Sequence, residues 1–129
     1  MRHDLLSDAM SIINNAEKVG KTECIIKPTS KLVKSVIKIM KDKGYIKEYE
    51  YIEDNKGGIL KVHLHKKINK CQAIRPRFPC KQDEIEKFET RFLPAKGFGI
   101  LIISTPQGLM TNIEAKKKRI GGVMIAYVY

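Results

Sequence analysis

The sequence predicts an α+β protein, and three observations lead there. Apolar residues recur at helical spacing in two N-terminal segments that each open on a capping residue. Alternating, β-rich segments intervene, and the C-terminal half reads mostly as strands with a short helix before the last. At 129 residues and 43% hydrophobic content, the chain can bury a core as one domain or as two small fused lobes.

Behind Asp4, a good N-cap, residues Leu5, Leu6, Ala9, Met10, Ile13 and Ala16 share one face of a helix of about four turns, with Asn14 and Asn15 on the exposed side. Thr22 to Lys27 (TECIIK) is rich in β-formers and stops at Pro28; Ser30 then caps a second helix that turns Leu32, Val33, Val36, Ile37 and Met40 inward. Gly44 ends it, with Lys41 and Lys43 near the negative end of its dipole. The next segment alternates. Ile46, Glu48, Glu50 and Ile52 point one way and Tyr45, Lys47, Tyr49 and Tyr51 the other, until Asp54-Asn55-Lys56-Gly57-Gly58 turns the chain. Leu60, Val62 and Leu64 return as the second hairpin arm, which completes an α-β-α-β-β order. Ile68 to Ile74 is a candidate strand, and Arg75-Pro76-Arg77-Phe78-Pro79 must be extended, because each proline disfavours helix in the residue before it. This segment reads as the seam between lobes. Gln82 to Thr90 suits a short helix, and Gly99-Ile100-Leu101-Ile102-Ile103 a strand buried on both faces. After the turn-prone stretch ISTPQG, Thr111-x-x-Glu114 is a capping box that opens a short basic helix through Arg119. Gly121-Gly122 breaks that helix before a last strand, Val123 to Tyr129.

Lysine and arginine number 25 against 14 acidic residues, and the net charge of +11 makes a polyanion the first partner to consider: nucleic acid, then an anionic membrane. The apolar faces of both N-terminal helices are expected to turn inward to the core, which argues against the membrane surface. No apolar segment approaches the ~20 residues of a membrane span. MRHDLLSD carries no signal-peptide core, so a cytoplasmic location is expected. Cys24, Cys71 and Cys80 fit no disulfide framework or paired metal spacing, so reduced thiols are expected. His63 and His65 share a strand face without a third ligand, and Glu84/Glu86 sit in charge-mixed sequence. No nucleophile elbow, phosphate loop or dinucleotide fingerprint is present. The residues therefore point to a binder without metal or cofactor. The alternative class is a small RNA-processing enzyme with a basic surface, which turnover of labelled RNA with divalent metal would reveal.

Lys116-Lys117-Lys118-Arg119, with Lys18, Lys21, Lys27, Lys31 and Lys34, supply candidate phosphate contacts. Such contacts give affinity and salt dependence but no sequence information. Selectivity needs other groups. In ISTPQG, the hydroxyls of Ser104 and Thr105 and the amide of Gln107 both donate and accept, which suits base edges and 2′-hydroxyls in the wide RNA minor groove. Gly108 would let backbone approach closely. The competing reading is a plain turn, in which Pro106 fixes φ and Gly108 tolerates a positive one.

The passage STPQGLMTNIEAKKKRIGGVMIAYVY resembles the signature of the small-subunit ribosomal protein S-eight family, in which a Ser-Thr-x-x-Gly-[Leu/Val/Ile]-Met turn precedes Glu-Ala-[Lys/Arg] and a Gly-Gly-containing final strand. DLLSDAMSIINNAEKVGK is similar to the family's opening helix, and KPTSKLVKSVIKIMKDKGYI to its second. The resemblance runs from Asp4 to Tyr129, and the long middle segment INKCQAIRPRFPCKQDEIEKFETRFLPAKGFGILI resembles the archaeal and eukaryotic branch. It implies two tightly packed lobes, 1–66 an N-terminal α/β lobe and 67–129 a C-terminal RNA-binding lobe. It further implies a non-enzymatic primary binder of the rRNA central domain that helps the small-subunit platform assemble among neighbouring ribosomal proteins. Ser104, Thr105 and Gly108 would then meet the RNA minor groove, and Lys31 its backbone. Ser30, Pro106, Gln107, Thr111, Lys116 and Lys117 complete the expected interface, although bacterial members commonly carry Ser-Lys at the positions of Pro106-Gln107. Some bacterial members also repress their own messenger, which makes that mRNA a second candidate RNA.

Overall fold

Asp4 starts the first helix, α1 (Leu5–Lys18): one carboxylate oxygen accepts from the backbone N–H groups of Leu6 (3.1 Å) and Ser7 (3.2 Å), donors with no partner inside the helix. The structure is a computed structural model and describes residues 4–27, 29–95 and 97–129; Pro28, expected to stop the first strand, lies outside them. The chain divides into two compact units, Met1–Cys71 and Gln72–Tyr129, ahead of the proline-containing segment 75–79.

In the first unit α1 buries Leu6, Ala9, Met10, Ile13 and Ala16 of the expected stripe, and Leu5 at its start is half-buried. The second helix, α2 (Lys31–Asp42), opens where the Ser30 hydroxyl accepts from the Val33 N–H at 3.3 Å. It buries Val33, Val36, Ile37 and Met40, each contributing about 1.5–3 kcal/mol by leaving water. Past its end Gly44 takes φ +85°, the left-handed conformation that a helix C-terminus favours. Strands β1 (Glu23–Ile26), β2 (Ile46–Ile52) and β3 (Ile59–Leu64) form an antiparallel sheet ordered β1-β3-β2.

Two expectations for this unit change. Sequence alternation placed Ile46 on one face with Glu48, Glu50 and Ile52. The sheet instead pairs Ile46 with Leu64, Glu48 with His63, Tyr49 with Val62 and Tyr51 with Leu60, so the register shifts by one residue after Ile46. A bulge of this kind exchanges the faces beyond it. Tyr49 and Tyr51 therefore stand with buried Val62 and Leu60, and Glu48 and Glu50 are exposed. Second, Asn14 does not simply face solvent. Its amide donates to the Cys71 carbonyl (2.5 Å), its oxygen accepts from the Cys71 N–H (2.9 Å), and α1 is thereby tied to the last residue of the unit.

Beyond β4 (Cys71–Ala73), the second unit contains β5 (Pro79–Cys80), a 3₁₀ turn (Gln82–Glu84), α3 (Ile85–Phe92), β6 (Ile100–Thr105), β7 (Gly108–Thr111), α4 (Asn112–Lys118) and β8 (Gly122–Val128). Its sheet runs β4-β8-β6-β7, with β5 also paired to β8. Ile100 to Ile103 are buried throughout, as their unbroken apolar run predicted. Leu101, Ile103, Met110 and Met124 pack with Ile85 and Phe88 of α3 in one core cluster. β5 and β7 are additions to the expected pattern. β7 matters most, because it replaces the direct turn-to-helix passage read from ISTPQG.

Candidate nucleic-acid interface

The stretch ISTPQG forms a tight β-hairpin. β6 and β7 pair antiparallel in the register Ile103 with Met110, Ser104 with Leu109 and Thr105 with Gly108, which leaves Pro106 and Gln107 as the whole loop. Pro106 supplies the fixed negative φ of the turn's second position, and Gly108 closes the turn at φ +112°. An added Cβ at Gly108 would meet nothing within 4 Å, so the glycine is required by its backbone angle and the space beside it is open. Thr105 holds the turn from inside. It is 8% exposed, its hydroxyl donates to the Gly108 carbonyl (2.8 Å), and the same oxygen accepts from the Gln107 N–H (3.1 Å).

The base of the hairpin is equally constrained. Thr111 caps α4: its hydroxyl donates to the Glu114 carboxylate (3.1 Å) and accepts from the Glu114 N–H (3.4 Å), completing the predicted capping box. Asn112, 3% exposed, accepts from the Leu101 N–H at 3.1 Å and donates its amide to Glu89. Glu89 in turn pairs with Lys116 at 2.9 Å. α4 ends at Lys118, where Arg119 takes the left-handed conformation (φ 56°) and Ile120 N–H bonds the Ala115 carbonyl. The expected breaker Gly121-Gly122 has a different task. A Cβ on Gly122 would collide with the Ser104 carbonyl and one on Gly121 with the Cys80 carbonyl, so the pair lets β8 approach its neighbours closely beside the hairpin.

These contacts sort the predicted residues. Pro106, Gln107 and Gly108 are exposed at the tip, and Ser104 is half-buried with a hydroxyl that bonds to none of the described residues. Ser104 stands between Leu109 and exposed Val123 across the sheet, forming an apolar row with one hydroxyl at its centre. Thr105 and Thr111 shape the hairpin from within, since their hydroxyls are committed to it and Thr111 is fully buried. Lys117, Lys118 and Arg119 are exposed, whereas the Lys116 ammonium is answered by Glu89 inside the unit. Ser30 and Lys31 lie together at the start of α2 in the first unit, Ser30 serving as its cap and Lys31 exposed. Sequence reading missed Asn112. Its signal was a polar residue directly after a cap that did not need it.

The other candidates acquire structural explanations. His63 lies between the carboxylates of Glu23 (3.4 Å) and Glu50 (3.8 Å) on neighbouring strands. Burial pushes the Cys71 thiol up to about 12 and those of Cys24 and Cys80 to about 11, so all three are protonated, weakly nucleophilic thiols at neutral pH. Among the described residues no group of three or more His, Cys, Asp or Glu side chains is arranged to hold a metal, and no helix is long and apolar enough to cross a membrane.

Fold and site define a class: a small, basic α+β protein that displays a braced hairpin tip beside exposed cations, with its polar networks given to architecture. The sequence profile of ribosomal protein S8 matches residues 4–129. The chain is also 54% identical over 129 residues, 100% of both chains, to the small ribosomal subunit protein uS8 of Archaeoglobus fulgidus. This chain belongs to the ribosomal protein S8 family. It is a structural protein of the small ribosomal subunit, and the reading as an RNA-processing enzyme is set aside. The archaeal relative agrees with the archaeal-type middle segment.

Proposed function

We propose that this protein is a primary binder of the rRNA central domain and helps the platform of the small subunit assemble in the cytoplasm, beside neighbouring ribosomal proteins. The carrying observation is the hairpin tip. It offers the Gln107 amide, the open backbone at Gly108 and the uncommitted Ser104 hydroxyl on a turn whose shape Thr105 fixes beforehand. Preorganised two-way hydrogen-bonding groups suit an RNA minor groove and the irregular pairs of an internal loop, because little ordering entropy is lost on contact. The Leu109–Ser104–Val123 row gives the sugar edge an apolar surface. Lys117, Lys118 and Arg119 hold phosphates near the hairpin, and in the other unit Lys31 does so at the positive end of α2. On this reading the second unit, Gln72–Tyr129, is the RNA-reading lobe and the first, Met1–Cys71, a supporting lobe. A segment of the protein's own messenger that reproduced the same internal loop would engage the same tip.

The test compares Ser104→Ala/Gln107→Ala with the unaltered chain on a central-domain helix and on a random duplex of equal length. The expected loss is about tenfold or more on the central-domain helix and little on the duplex, from hydrogen bonds worth about 0.5–1.5 kcal/mol each. Equal losses on both RNAs would remove the tip's role in selectivity.

A further inference from the structure

The second unit carries a groove that the hairpin leaves unused. It encloses about 420 Å³, a size typical of small-ligand sites. Phe78, Phe88, Phe92 and Tyr127 line it as a run of rings, with centroids 5.0 Å apart for Phe78–Phe88 and 5.4 Å for Phe92–Tyr127. Cations lie on those rings. The Arg91 guanidinium is 5.3 Å from the Phe92 centroid and 5.8 Å from that of Phe78, and the Lys87 ammonium is 5.9 Å from that of Phe88. Both side chains are exposed, and no acidic residue lines the groove among the described residues.

We propose that this groove is a second RNA site, which takes an unpaired nucleotide with its base on the Arg91–Phe92 platform and its phosphate toward Lys87. Aromatic faces and a guanidinium plane held over one of them are the surfaces on which splayed-out bases stack. The exposed Arg91 and Lys87 side chains call for an anionic occupant, and a nucleotide answers rings and cations together. An acidic peptide segment answers only the cations. The proposal rests on the chain being an RNA binder, but on residues other than Ser104 to Gly108.

The full chain is titrated with a short fluorescein-labelled oligouridylate and, separately, with the central-domain helix and a random duplex. Lys87→Gln/Arg91→Gln should weaken oligouridylate binding about tenfold, the scale of one lost stacking contact, with the thermal midpoint unchanged. Arg91→Lys, which keeps the charge and loses the plane, should fall between the two. Ser104→Ala/Gln107→Ala should leave oligouridylate binding intact. Undiminished binding by the double groove variant, wild-type binding by Arg91→Lys, or capture of an oligoglutamate peptide in place of oligouridylate would each overturn the proposal. Absence of any preference for the central-domain helix in the unaltered chain would instead overturn the reading of the hairpin tip.

Discussion

Replacing Asn112 by alanine removes the side chain that joins β6, α3 and α4, and the cost can be worked from its partners. The Leu101 N–H, on a residue with no solvent exposure, loses the carbonyl oxygen it donates to at 3.1 Å. An unsatisfied buried donor costs about 1–3 kcal/mol. The hydrogen bond that the Asn112 amide donates to the Glu89 carboxylate also goes; a hydrogen bond to a charged group contributes about 1.5–3 kcal/mol, here reduced because Lys116 still answers Glu89. Alanine's better helix propensity returns only about 0.5 kcal/mol. The net expectation is a loss of about 3 kcal/mol, read by urea or thermal unfolding as a fall in midpoint of about 10 °C for a chain of this length. Asn112→Asp keeps an acceptor for Leu101 but sets a second carboxylate against Glu89. It should be as damaging at neutral pH, because two like charges then face each other and the donor to Glu89 is gone. A loss under about 1 kcal/mol in the alanine variant would refute the assignment of this side chain as the brace of the hairpin base.

Further outcomes follow from particular residues. Arg119→Gly should stabilise the protein by about 1 kcal/mol in urea unfolding, because a non-glycine residue at φ 56° is strained, and should weaken RNA binding by removing a cation. Lys117→Ala should lower the dependence of log K on log salt by about one unit, whereas Lys116→Ala should leave that slope nearly unchanged and cost at most about 1 kcal/mol of stability, since Lys116 is occupied by Glu89. The cysteines set an alkaline limit: between the ordinary thiol value of 9.0 and about 12, the unfolded chain has lost protons that native Cys71 still holds, so stability should fall as pH rises through that window. The same burial should make all three thiols react with a disulfide reagent only after denaturant is added.

Local chemistry was legible in the sequence and long-range pairing was not. Asp4, Ser30 and Thr111 announce their helices because a cap and an apolar stripe are written within a few residues of each other. The bulge after Ile46 leaves no mark in the alternation, since it is imposed by pairing with β3, and a single inserted residue then reverses every later side chain. β7 was hidden because Gly108–Thr111 is too short to show alternation and its last residue doubles as a helix cap. Lys116 looked like a phosphate ligand in a run of cations, and only the fold brings Glu89, 27 residues away, against it. Gly121-Gly122 read as punctuation, while its need is the backbone of Ser104 and Cys80 across the sheet. At the tip, Pro106 and Gly108 declared a turn. That Thr105 is spent on holding it, and Ser104 is not, required the structure.

Hydroxyl-radical footprinting of the purified protein on complete small-subunit rRNA tests the central claim most directly. A hairpin tip that selects and lysines that only hold predict protection confined to one central-domain helix, lost in Ser104→Ala/Gln107→Ala and merely weakened in Lys117→Ala. Protection spread over many helices, or a footprint on the central-domain helix that survives the tip substitutions unchanged, would contradict it.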